Sequence, residues 1–63
     1  MNLIINHTSM EPIYEQIVVQ IKAEVIEGRM TAGDGLPSVR VLSKELKISA
    51  LTVKKAYYNL EEE

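Results

Sequence analysis

Residues 36–60 read LPSVRVLSKELKISALTVKKAYYNL, two helical patterns separated by a break of three residues. Pro37 closes the segment before them, and the Ser38 hydroxyl can cap a helix whose inner face is Val39, Leu42 and Leu46. That helix runs from about Val39 to Leu46. The run Lys47-Ile48-Ser49 interrupts the period, and Ser49 offers a second N-cap. Val53, Ala56, Tyr57 and Leu60 then recur at i, i+3, i+4 and i+7, the mark of a helix from about Ala50 to at least Glu61. Two helices joined so tightly, with small Ser43 near their crossing and Ile48 anchoring the turn, have the build of a helix-turn-helix.

Upstream, Ile13, Tyr14, Ile17, Val18, Ile21 and Val25 fall in one stripe at the helical period and predict a first helix over about residues 12–27. Pro12 suits its first turn, and Gly28 is the residue expected just past its end. Val19, Ala23 and Ile26 form a weaker apolar line beside that stripe. RMTAGDGLP, residues 29–37, is a connection rich in glycine and proline. Residues 1–10, MNLIINHTSM, read as an extended arm or short strand followed by a loop, which leaves residues 11–63 as the helix-turn-helix domain. The fold class is therefore mainly α, with three helices.

Sixty-three residues make one small domain near the limit at which a lone core suffices, so a partner or further chain is expected. With no cysteine, neither disulfides nor a thiolate metal site can reinforce it. One histidine, His7, cannot form a metal site by itself, and there is no glycine-rich phosphate loop after a strand, so neither a metal, a cofactor nor an enzyme activity is expected. Glu24, Glu27 and the run Glu61 to Glu63 read as solvated faces. No stretch has the length of a membrane span or the pattern of a signal peptide, and a cytoplasmic protein that does not engage membranes is expected.

The formal net charge of −2 hides a segregation. Residues 1–37 carry −3, residues 38–55 carry +4, and residues 56–63 carry −3; five of the seven Lys and Arg lie between 38 and 55. Because a duplex responds to cations within a Debye length, about 8–10 Å at ordinary salt, the local +4 outweighs the chain total. On the third helix, Leu51, Lys55, Tyr58 and Glu62 lie opposite the inner stripe, with Lys54 at its edge. A helix entering a DNA major groove needs such a polar, basic N-terminal half. On charge alone, a solvated helical face explains the lysines equally well.

The segment from Pro12 onward resembles the DNA-binding domain of GntR-family bacterial transcription regulators, in particular the YtrA-type branch. The resemblance rests on Gly33-Asp34 followed by Leu36-Pro37-Ser38-Val39-Arg40-Val41-Leu42, then Thr52-Val53 and Ala56-Tyr57 leading to Leu60-Glu61. It implies a winged-helix-type domain that binds double-stranded operator DNA, acts more often in repression than activation, and works as a homodimer. It also implies DNA contacts for Arg40, Thr52 and Lys54. Arg40 falls in the first turn of the second helix, where free backbone N–H groups and a guanidinium can share a phosphate. Three positions depart from the family pattern: Ala50 stands where many members carry a base-reading arginine, Ala32 replaces a proline, and Lys47 occupies a turn position often held by glycine. Ala50 and Leu51 can instead meet thymine methyl groups. If that turn requires a positive φ, Lys47 is strained there.

The candidate DNA-binding residues are thus Ser38, Arg40, Lys44, Ala50, Leu51, Thr52, Lys54, Lys55 and Tyr58. The resemblance further implies a β-hairpin wing and then a domain that dimerises and binds a small-molecule effector. NLEEE, residues 59–63, falls in or just after the third helix, so an N-terminal fragment or the ordered part of a longer protein is expected. The competing function is a protein-interaction module docking through the Val19, Ala23 and Ile26 line, Leu51 and Tyr58. Salt separates the two, because only phosphate binding weakens steeply as salt is added.

Overall fold

A computed structural model describes residues 3–30 and 35–62. They form α1 (Ile13–Ile26), α2 (Val39–Leu46) and α3 (Ala50–Glu62), with no strand among the described residues. The Gly33-Asp34 turn and Ala32 lie outside them.

Helix α3 packs on both α1 and α2. Its inner stripe supplies fully buried Val53 and Ala56, α1 supplies Ile17 with Val18 and Ile21, and α2 supplies Leu42. Ile17, Leu42 and Val53, one from each helix, are the largest fully buried side chains. Burial of each contributes about 1.5–3 kcal/mol. Val39, Leu46, Ile48, Tyr57 and Leu60 close around them. The α1 stripe ends earlier than its period suggests: Val25 is 46% exposed, because the core stops at Ile21 one turn before it.

The helix ends show why the boundaries fall where they do. Pro12 is the capping residue of α1 rather than part of its first turn, and its carbonyl accepts from the N–H groups of Glu15 and Gln16. After α1, Gly28 at φ +81 lets Arg29 N–H reach the Glu24 carbonyl at 2.9 Å. This satisfies a carbonyl that the helix leaves open. Helix α2 begins with Ser38, whose hydroxyl oxygen accepts from Val41 N–H at 3.1 Å. It ends on Lys47 in the left-handed conformation, φ +58 and ψ 47. Ile48 N–H then donates back to Ser43 O at 3.0 Å while the Ile48 side chain joins the core, the same closure that Gly28 makes for α1. At α3, Ser49 Oγ accepts from Thr52 N–H at 3.1 Å.

The first residues form an extended arm on α1, and side chains hold it. Gln20 accepts from Ile4 N–H through Oε1 at 2.8 Å and donates from Nε2 to Ile4 O at 2.7 Å. Gln16 repeats the pattern on Asn6, with N–H to Oε1 at 2.8 Å and Nε2 to O at 3.0 Å, and also donates to Glu11 O. Two amides four residues apart on one helix face thus match alternate residues of an extended chain, taking the place of a neighbouring strand. Leu3 and Ile5 pack against the core, while Ile4 faces solvent.

Candidate nucleic-acid interface

Because Val53 and Ala56 must face inward, α3 turns Leu51, Lys54, Lys55 and Tyr58 outward. Leu51 is 76% exposed and Tyr58 62%. Ala50 is exposed beside them at the first position of the helix. Thr52 is half-buried, and its hydroxyl shares a hydrogen bond of 2.9 Å with Ser49 Oγ, which fixes it over the start of α3.

Four cations stand out from α2, the turn after it and α3 without a partner among the described residues. Arg40, Lys44, Lys47 and Lys54 are all exposed, and none makes an ion pair or a side-chain hydrogen bond among the described residues. Arg40 is the second residue of α2, two after the Ser38 cap, and Lys44 lies one turn further on the same helix. The Ser38 hydroxyl oxygen is committed to Val41 N–H, which leaves its proton for an outside acceptor.

Lys55 differs from these four. Its Nζ lies 4.2 Å from the centre of the Tyr14 ring on α1, within the range of a cation–π contact. The outer face of α3 is therefore divided: Lys54 points away from the protein, and Lys55 leans back onto α1. Sequence reasoning placed Tyr14 only in the inner stripe and missed this pairing. Periodicity within one helix carries no record of which residue on another helix it meets.

A second contact escaped sequence reasoning. Tyr57 donates its hydroxyl to Pro37 O at 2.6 Å, joining the middle of α3 to the residue just before the Ser38 cap. Burial, and then the Glu45 carboxylate, raise the Tyr57 pKa, so the phenol keeps the proton it donates. A tyrosine rather than a phenylalanine on an inner stripe was the available signal, since a buried phenol needs a partner.

Arg29, outside this region, is used differently. It pairs with Glu24 at 3.0 Å and with Glu27, and the hydrogen bonds it donates to these two carboxylates raise its pKa. The acids read as solvated faces thus hold the turn after α1 together.

The family model for "Bacterial regulatory proteins, gntR family" matches residues 13–63, which contain all three helices. The chain belongs to the gntR family. It is 48% identical over 59 residues to the HTH-type transcriptional repressor YtrA of Bacillus subtilis, covering 94% of this chain and 45% of that one. It is 39% identical over 56 residues to the HTH-type transcriptional repressor NagR of the same organism, covering 89% of this chain and 23% of that one. Among solved structures, YtrA from Sulfolobus acidocaldarius, a GntR-family transcription factor, superposes with a TM-score of 0.92 at 42% identity, over 95% of this chain and 64% of that one. The chain spans less than half the length of these curated relatives. Its three helices have the winged-helix type of helix-turn-helix arrangement of gntR regulators. No helix among the described residues is long and apolar enough to cross a membrane.

Proposed function

We propose that this gntR chain is the double-stranded DNA-binding domain of a bacterial transcriptional repressor, with the N-terminal half of α3 in the major groove. The observation that carries the reading is the set of exposed cations Arg40, Lys44, Lys47 and Lys54, without partners among the described residues and gathered on α2, its turn and α3 in a chain of net charge −2. Cations left in water can exchange their counterions for phosphates at little cost, whereas those already paired would have to break a contact first. Family membership and the similarity to two named repressors support the same reading.

Within it, Arg40 and the Ser38 hydroxyl hold a backbone phosphate at the start of α2, with Lys44 on a neighbouring one. Lys54 and Lys55 neutralise phosphates along the groove. Ala50, Leu51 and Thr52 face base edges, where the two apolar side chains suit thymine methyl groups and the Thr52 hydroxyl suits a donor or an acceptor. Tyr58 flanks them. The protein acts in the cytoplasm as a non-catalytic regulator. It binds a two-fold operator as a homodimer, with subunit contacts and a small-molecule effector site outside residues 1–63.

Selection of bound sequences from a random duplex pool, followed by titration of the enriched duplex at several salt concentrations, tests this. For one copy of residues 1–63, about five phosphate contacts predict a slope of about −4 to −5 in log affinity against log salt, and a dimer on both half-sites about twice that. Binding that does not change with salt, or no enrichment, overturns the proposal.

A further inference from the structure

Helix α2 is short and is held to the rest of the protein at its two ends by different means. In its middle the fully buried Leu42 joins the core, and at its C-terminal end Leu46 and Ile48 do so while the Lys47 turn closes it, with Lys47 N–H on Lys44 O and Ile48 N–H on Ser43 O. At its N-terminal end, the half-buried Val39 is the apolar anchor, and Val41 beside it is exposed. The polar tie at that end is the hydrogen bond from the Tyr57 hydroxyl to Pro37 O.

The acceptor has a particular position. The Ser38 carbonyl already receives Leu42 N–H as the first bond of α2, and the Ser38 hydroxyl receives Val41 N–H. Pro37 O is the first carbonyl outside the helix. A bond of 2.6 Å there fixes the peptide that leads directly into Ser38, Val39 and Arg40. The donor comes from the inner stripe of α3, so the bond sets the start of α2 against the helix that carries Ala50, Leu51, Thr52 and Lys54. Losing the hydroxyl removes the polar tie from the residues ahead of the buried Leu42, and the Arg40 guanidinium projects from that first turn.

We infer that Tyr57 is a positioning residue for DNA binding, acting through Pro37 and the start of α2 to hold Arg40 in register with α3. The inference rests on the function proposed above. Positioned charges bind better than mobile ones because less freedom is lost on docking.

The test is a double-mutant cycle on DNA affinity using the duplex enriched by the wild-type chain, with wild type, Tyr57→Phe, Arg40→Ala and the double variant compared by fluorescence anisotropy at matched salt. Tyr57→Phe removes one oxygen and should weaken binding roughly three- to tenfold, the range expected for one hydrogen bond. In the Arg40→Ala background the same change should have almost no effect. Equal losses in both backgrounds, or wild-type affinity for Tyr57→Phe, overturn the positioning role while leaving the DNA-binding reading intact. Failure of the wild-type chain to bind any duplex in a salt-dependent way overturns both. Hydrogen exchange separates positioning from general destabilisation. Faster exchange at the Val41 and Leu42 amides, with Val53 and Ala56 unchanged, is expected; uniform acceleration counts against it.

Discussion

Around the arm and α1, polar side chains are spent within the protein: Gln16 and Gln20 bind the backbone of Asn6 and Ile4, and Arg29 pairs with Glu24 and Glu27. Around α2 and the start of α3, Arg40, Lys44, Lys47 and Lys54 extend into solvent with no such partner among the described residues. Two serines there, Ser38 and Ser49, cap helices. Both regions share one core, so the difference lies in what their polar groups are for. One region is a closed scaffold; the other is a surface whose cations are left to solvent.

The largest expected effect breaks that comparison at Arg40. Arg40→Ala should weaken binding to the enriched duplex by about 1–3 kcal/mol, the range for a lost charge-assisted contact. Its helical circular dichroism and melting temperature should stay as in the wild type, because Arg40 has no protein partner among the described residues to lose. A lowered melting temperature with unchanged affinity would move Arg40 into the scaffold.

Gln16→Leu should do the reverse. It leaves Asn6 N–H, Asn6 O and Glu11 O without their amide and loosens Leu3 and Ile5 from the core. A stability loss of about 2 kcal/mol is expected in urea titration. That is a large share of the roughly 3–9 kcal/mol available to a chain of this size. The salt slope of DNA binding should not change. A changed slope would show that the arm contributes to the binding surface.

These residues also mark how far the sequence could be read. The helices were legible because their inner stripes keep the helical period and because Ser38, Ser49 and Gly28 are the residue types that helix ends require. Gln16 was not, since a polar residue beside an apolar stripe reads as surface, whereas here it is buried under an arm that only the tertiary structure supplies. Val25 was misread for a related reason: periodicity records which face a residue shares, and not where the facing helix stops. In the candidate site, the gathering of positive charge was visible as a count. The separation of Lys54 from Lys55 was not, because neighbours on a helix point about 100° apart and only the crossing with α1 decides which meets Tyr14.

Lys47 lies on the border between the two regions, being both a turn residue and a cation. Its φ of +58 places a side chain where glycine is unstrained. Lys47→Gly should therefore stabilise the fold by up to about 1 kcal/mol, read as a higher urea midpoint, while lowering DNA affinity slightly through the lost charge. A lowered midpoint would mean that the lysine side chain contributes more to the fold than its backbone strain costs.

The smallest effect divides the outer face of α3 itself. Lys54 has no partner among the described residues, so its ammonium is free to displace one counterion equivalent from the duplex, and Lys54→Gln should reduce the magnitude of the salt slope by about 0.9. Lys55 holds its Nζ over the Tyr14 ring at 4.2 Å. To meet a phosphate it must either leave the ring or reach the phosphate while still resting on it, and both restrict how fully it can neutralise one. Lys55→Gln should accordingly change the slope by less than Lys54→Gln. Tyr14→Leu provides the internal control: with the ring gone, Lys55 is freed, and replacing it by glutamine in that background should reduce the slope by as much as replacing Lys54 does. Equal slope changes for the two lysines in the wild-type background would show that the contact with Tyr14 gives way on DNA, and that the outer face of α3 binds as one surface.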